Sequence, residues 1–432
     1  MVAPTSITLS EWEERSPDSD ERLSSLVLDA QARQLAEDLS GAMMLDVTEL
    51  RTGISVQAYS HVGKIHLGDL EITILPKLKQ ASLLNLLRYA YGFRKLRLFS
   101  ESSQLLEKAG FEDLLISQLN AEVAELISRG LHRNYIPQGE YLASPRGRIN
   151  LQQVANDGGV VAACLPCIHH PRIEDTLLNR VLLAGLTLAG GIAADIRLRR
   201  ESRRLAATFV DFVGEIRLDA TVFQCLSHRM NRLTVAYEPA ISLIRLLYES
   251  QGVSFEGSEL ARRIPGFLFD MNRFFQALLS RFLGEHLPDY TVRDEFRLRD
   301  MMSYVPKFNP RNRRSPSPRP DFVVLKGQQA ESILDAKYRD LWERSLPRDM
   351  LYQLAIYATI HKKNVATILY PTTDTKATEA RVDVRDPLYG TDIAQVRLRP
   401  VILDTIEQLV LSETSAKASR QKAAYARWLA FG

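Results

Sequence analysis

Cysteine is scarce in this chain, with three in 432 residues. That is too few for a disulfide framework, and the reading is a protein of the reducing cytoplasm. No apolar run approaches the roughly 18 residues of a membrane span, which excludes a membrane partner on sequence grounds. The N-terminus, Met1-Val2-Ala3-Pro4-Thr5-Ser6, lacks a basic start followed by an apolar core, so no signal peptide is read. No Gly-x-x-x-x-Gly-Lys-(Ser/Thr) loop occurs, so no P-loop nucleotide site is read in this chain. Excess charge is also missing: the net value is +3, and nucleic-acid affinity has to be judged locally. What remains is an ordinary globular composition, 45% hydrophobic and 25% charged, long enough for two or three domains.

The chemistry concentrates between Arg319 and Tyr338. Phe322-Val323-Val324-Leu325 and Ile333-Leu334-Asp335-Ala336 read as strands of a hairpin around Lys326-Gly327-Gln328-Gln329. Residues two apart on a strand share a face, so Asp335 and Lys337 project together, and the hairpin brings Asp321 alongside. Two carboxylates at one point suit a hard cation such as Mg²⁺, with Mn²⁺ able to substitute. A lysine beside them can hold a metal-bound water or offset charge on a phosphoryl oxygen. The alternative is a surface hairpin with ordinary charges.

The flanks extend the pattern. Asp349 to Ala358 has helical period after Pro347, and Gln353 and Tyr357 are neighbours on one face of it. Phe267 to Leu287 reads as a helix, Tyr290 to Leu298 as a strand, and Val365 to Tyr370 as a further strand. Pro320-Asp321 with Asp335-x-Lys337 fourteen residues on resembles the PD-(D/E)xK nuclease motif, and the Gln-x-x-x-Tyr helix resembles its RecB-like branch. The order helix, strand, strand, strand, helix, strand is that of the nuclease core.

Along the rest of the chain, strands are expected over 7–12, 43–48, 53–59, 62–67 and 70–75, with helices over 23–39, 82–91 and 112–129. The section 151–250 is mainly helical by period. It contains Cys164-x-x-Cys167 and Cys225-x-x-His228, which have the spacing of paired zinc ligands; buried cysteines acting as small hydrophobes are the alternative. Arg197 to Arg204 is a basic stripe on a helix and reads as a solvated face. Lys307 to Arg319 is a Pro/Ser/Arg-rich loop with Arg311, Arg313, Arg314 and Arg319, read as mobile and placed to neutralise DNA phosphates. The basic stretch Ala416 to Trp428 reads as a solvated terminal helix.

Short blocks make a family resemblance specific. Gly63-Lys64-Ile65, Ile72-Thr73-Ile74-Leu75-Pro76-Lys77, Leu87 to Gly92, Arg146-Gly147-Arg148-Ile149, Glu174 to Arg180 and Asp270-Met271-Asn272 stand in the order seen in McrC. The resemblance spans roughly residues 7 to 405. It implies an α+β, α/β multidomain chain: a β-rich partner-docking domain over 1–150, a helical middle over 151–250, and a PD-(D/E)xK restriction-endonuclease-like core over 251–432.

The implied function is that of a Mg²⁺-dependent endonuclease subunit of an anti-phage restriction system. It would cleave double-stranded, modified DNA when docked on an AAA+ GTPase or ATPase of McrB type, and stimulate that partner's nucleotide hydrolysis. Asp321 and Asp335 would bind metal, Lys337 would orient water, and Gln353 and Tyr357 would assist. One departure stands out. Where this nuclease class often carries a metal-proximal Glu on the first core helix, this chain has Gln276, so Glu285 or solvent would have to substitute, or the carboxylate is dispensable. A non-catalytic adaptor and an autonomous repair nuclease are the competing readings.

Overall fold

The computed structural model describes residues 5–93, 110–159, 163–232, 234–253, 262–263, 266–299, 301–386, 388–413 and 415–432. By contacts the chain divides into Met1–Phe93 with Leu268–Gly432, and Arg94–Phe267. This division differs from the sequence segments at 150 and 250. The strand Gly266–Asp270 returns to the sheet formed by Thr5–Ser10, Leu70–Leu75 and His61–Leu67. The N-terminal strands and the C-terminal third therefore fall in one unit. Local periodicity does not report a pairing across some 200 residues of chain.

In that unit, alternating apolar residues bury one side of the N-terminal strands: Ile7 and Leu9, Ile65 and Leu67, Ile72 and Ile74 are all almost inaccessible. Thr5–Ser10 pairs in parallel with Leu70–Leu75. A smaller sheet joins Glu14–Arg15, Gly53–Ala58 and Leu45–Leu50.

The C-terminal part is a six-stranded mixed sheet in the order Thr291–Asp294, Phe322–Lys326, Gln329–Ala336, Val365–Thr372, Asp392–Ile402, Ala380–Arg385. The pairs among Gln329–Ala336, Val365–Thr372 and Asp392–Ile402 are parallel. A parallel step needs a crossover, and the helix Arg348–Ile360 supplies the first one. It buries Leu354, Tyr357 and Ala358 over Ile333, Ile368, Tyr370 and Val396.

The other face carries Ala416–Phe431, to which Ser332 Oγ donates at Ala430 O (2.7 Å). This helix buries Ala418, Ala426, Leu429 and Ala430, so the tail is packed and not a solvated helix. Beside it, Met271–His286 buries Met271, Phe274, Phe275, Leu278, Leu279, Phe282 and Leu283, the i, i+3, i+4, i+7 stripe of an amphipathic helix. Asp270 caps it, accepting from Asn272 N at 2.8 Å.

The unit Arg94–Phe267 is mainly helical, with Phe111–Arg129, Leu177–Ile192, Ile196–Ala207, Ala220–Arg229 and Glu238–Glu249. The block Glu174 to Arg180 has a structural role there. Buried Asn179 donates to His132 O (2.9 Å) and Glu174 O (2.7 Å) and accepts from Tyr237 Oη (3.0 Å). Arg180 grips Asp175 with two bonds of 2.6 Å, a bidentate geometry. Among the described residues, no helix is long and apolar enough to cross a membrane.

Candidate functional site

The hairpin from Phe322 to Ala336 pairs Phe322 with Leu334 and Val323 with Ile333, and the strands join through Lys326 and Gln329. Carried one step further, that register sets Asp321 opposite Asp335. Asp335 is buried and Lys337 Nζ lies 3.0 Å from its Oδ2. Oδ2 accepts no directed hydrogen bond among the described residues. Asp321 is held at both oxygens: Oδ2 accepts from Ala336 N at 2.7 Å and Oδ1 from Gln276 Nε2 at 2.9 Å.

The electrostatics follow from burial and like charge. Burial, then the neighbouring Asp335 carboxylate, pushes the Asp321 carboxyl up to about 7, against the pull of Lys337 and the two hydrogen bonds. For Lys337, burial works against the ammonium, but Asp335 and Asp321 outweigh it and hold its pKa above the usual lysine value. The lysine is thus a charged group at neutral pH. Tyr357, buried at 2% exposure, has its pKa raised by burial and lies close enough to feel Asp335, Lys337 and Asp321. Gln353 Nε2 donates to Tyr357 Oη at 3.0 Å. Asp321, Asp335, Lys337, Gln276 and Tyr357 therefore come together, with Gln353 behind Tyr357.

Gln276 stands where a third carboxylate was sought, and it is a donor to Asp321. Glu285 does not replace it: its carboxylate is taken by Tyr89 Oη and by Arg281 Nε, each at 2.7 Å. No group of three or more His, Cys, Asp or Glu gathers as a metal cluster among the described residues. The zinc spacing of Cys164, Cys167, Cys225 and His228 accordingly builds no such cluster. Cys167 is buried on the strand Leu165–His169 and Cys225 is exposed on the helix Ala220–Arg229.

Three supports have no signature in the sequence. Tyr338 N donates to Asn272 Oδ1 at 3.2 Å, and Asn272 Nδ2 donates to Ser60 Oγ at 2.6 Å. Tyr338 Oη meets buried Glu11 at 3.3 Å, and burial raises the Glu11 carboxyl to about 7. These partners are 66 to 327 residues apart. Asp270-Met271-Asn272 was visible only as a family block.

The basic loop ending at Arg319 is not slack. Glu295 N donates to Asp321 O and Leu298 N to Pro318 O, each at 2.9 Å. Tyr304 N reaches Ser315 Oγ at 3.4 Å. Asn309 closes the far turn, donating to Arg313 O and accepting from Arg313 N, both at 2.8 Å. The loop is a two-legged extension of the Thr291–Asp294 and Phe322–Lys326 pair, exposing Arg311, Arg313, Arg314 and Arg319.

The profile described as "McrBC 5-methylcytosine restriction system component" matches residues 56–371. No curated protein matches the chain. Among solved structures, a chain of the Thermococcus gammatolerans half-complex of McrB AAA+ hexamers with bound McrC, from a tetradecameric assembly, is 21% identical with a TM-score of 0.57. The match covers 98% of this chain and 100% of that one. A chain of the Thermococcus gammatolerans McrBC complex is 22% identical with a TM-score of 0.45, over 66% of this chain and 88% of that one. The profile spans most of the sequence, from the N-terminal sheet through the paired carboxylates to the strand Val365–Thr372, and by that match the chain belongs to the family of McrBC 5-methylcytosine restriction system components.

Proposed function

We propose that this chain is the McrC-type nuclease subunit of a modification-dependent restriction system, with a PD-(D/E)xK core over the C-terminal sheet. One observation carries the reading: Asp321 and Asp335 are set opposite each other in a buried hairpin, with charged Lys337 between them and solvent. Two buried carboxylates side by side are an unfavourable arrangement that a cation relieves. The donor set fits Mg²⁺, which takes one or two carboxylates and keeps several waters. Bound there by Asp321 and Asp335, Mg²⁺ would supply charge stabilisation and an acidified water for phosphodiester hydrolysis.

The chain's own groups divide the remaining work. Gln276 and Ala336 N fix the Asp321 carboxylate so that it cannot rotate away from Asp335. Lys337 stays protonated, which suits it to neutralising a phosphoryl oxygen and orienting a water through its N–H groups. Tyr357, braced by Gln353, closes the site on the side of Arg348–Ile360 and offers a hydroxyl beside it. No phosphate loop is present in the sequence, so the proposed partner is an AAA+ GTPase or ATPase of McrB type. That partner would recognise modified DNA, and its hydrolysis would rise on docking.

Plasmid cleavage tests this with Mg²⁺, methylated or unmethylated DNA, the AAA+ partner, and GTP or ATP, comparing wild type with Asp335→Ala. Cleavage that needs partner, nucleotide and Asp335 is the expected result. Cleavage by the chain alone would make it an autonomous nuclease. Stimulated partner hydrolysis without any cleavage would make it an adaptor.

A further inference from the structure

The extension between Glu295 and Asp321 concentrates positive charge on the unit that holds the site. From Glu295 to Pro320 the sequence holds Arg297, Arg299, Lys307, Arg311, Arg313, Arg314 and Arg319 against Glu295 and Asp300, a net charge of +5. The whole chain carries only +3. Arg311, Arg313, Arg314 and Arg319 are exposed, and none has an ion-pair partner among the described residues. Some arginines elsewhere in the unit do find one, as Arg33 does with Glu49 and Arg385 with Asp392. Uncompensated charge held together in this way repels itself, and a polyanion relieves it.

Apolar groups accompany the charge. Phe308 is 79% exposed and Val305 60% exposed, in and beside the short 3-10 turn Pro306–Phe308. That turn is fixed by Phe308 N donating to Val305 O at 2.8 Å. It directly precedes the Asn309 side-chain clamp on Arg313. The aromatic ring is therefore held in water by a braced turn rather than left there by a slack loop. The return leg ends at Asp321, whose carbonyl accepts the rung from Glu295, so the arm and the carboxylate pair share a residue.

We infer that this arm is a preformed grip for duplex DNA: Arg311, Arg313 and Arg314 take backbone phosphates while Phe308 enters the base stack. The inference deepens the nuclease reading by assigning the surface that holds the substrate. Phosphate contacts position a duplex without reading its sequence, which leaves recognition of the modification elsewhere. An inserted apolar side chain unstacks one base step and bends the helix. Because the legs are already paired, little ordering is needed on binding.

The test uses the full chain with Asp335→Asn, which blocks cleavage, and a duplex of about 30 base pairs carrying 2-aminopurine reporters, titrated across salt concentrations. Replacing Arg311, Arg313 and Arg314 by Gln is expected to weaken binding 10-fold or more at low salt. It should also reduce the slope of log K against log salt by about 3. Phe308→Ala is expected to lose the fluorescence rise from unstacking, with the salt slope unchanged. All four side chains are exposed, so the variants should melt like their parent.

Unchanged affinity and slope in the arginine variant would overturn the grip. So would a variant that binds DNA normally but no longer stimulates the AAA+ partner, since the arm would then dock protein. If wild type cleaves nothing while duplex binding still depends on the arm, the grip stands and the nuclease reading falls.

Discussion

On one face of the six-stranded sheet Arg399 is fully buried and ion-paired. Its Nε and Nη2 meet Glu379 Oε2 at 2.6 and 2.5 Å, and Nη1 donates to Leu429 O at 2.9 Å. Burial works against the Glu379 charge, but Arg399 and then Arg381 hold its carboxyl below the usual range. On the other face Asp335 is equally buried, yet its nearest acidic neighbour is driven up to about 7. Both clusters paid a desolvation cost on folding. The first sets one carboxylate against two arginines, although Arg399 Nη2 makes no directed hydrogen bond among the described residues, and the second sets two carboxylates against one lysine. Surplus buried charge is the arrangement that shifts pKa values at functional sites, whereas a charge paired within the scaffold need not mark one.

The sharpest way to break that comparison is Asp335→Asn. Cleavage should fall on the order of 10³-fold or more, because several kcal/mol of metal-derived stabilisation are lost. Without divalent metal the same variant should melt no lower than wild type, since a like-charge contact has been removed. Single-turnover cleavage and thermal melting in chelator check the two halves, and a melt lowered by several degrees would contradict the surplus-charge account.

Arg399→Met is the mirror experiment. It leaves Glu379 to Arg381 and should cost about 2–3 kcal/mol in denaturant unfolding, the loss of charged hydrogen bonds. Cleavage per folded molecule should stay near wild type. Adding Glu379→Leu should recover much of the loss. Failure to recover would mean the pair is not closed in the way described.

Glu11 sharpens the comparison through pH. Its folded pKa, about 7, lies above the ordinary 4.5, so the protonated form is the one that folding favours. Its contribution is fully present below about pH 4.5 and is lost as pH rises through about 7. The span amounts to about 3 kcal/mol. Glu11→Gln should flatten that part of the stability profile, and an unchanged profile would place the titration elsewhere.

Gln276→Ala is the mildest change. Asp321 loses one of two anchors, and the Mg²⁺ concentration for half-maximal cleavage should rise about 10- to 100-fold. Gln276→Glu should shift it the other way by restoring a carboxylate. Equal metal dependence in all three proteins would show that Gln276 does not position Asp321.

The carboxylate pair was legible because a strand has period two and a hairpin has a register. Asp321, Asp335 and Lys337 needed nothing more distant than one turn. Gln353 with Tyr357 was legible for the same kind of reason, one helical turn. Gln276 could be placed by position in its helix, but its role as a donor to Asp321 could not be read, since 45 residues separate the two. Arg399 left no signal to set it apart from Arg397 in the strand Asp392–Ile402. The pairing of the arm's legs was not legible because Pro, Ser and Arg carry no periodicity, while its rungs are backbone bonds and the side chains of Asn309 and Ser315. Glu11 and Tyr338, 327 residues apart, meet through tertiary folding alone.

The strand Gly266–Asp270 has a consequence for synthesis. It lies beside His61–Leu67 in the N-terminal sheet, about 200 residues later in the chain. At ribosomal speeds the earlier strand waits on the order of 10–40 s for its neighbour. Throughout that interval it presents an open edge, the kind of surface that invites mispairing with other chains. The helix Met271–His286, which brings Gln276 to Asp321 and Asn272 to Tyr338, begins at the end of that late strand. A half-made chain therefore lacks both the paired carboxylates and the glutamine that holds one of them.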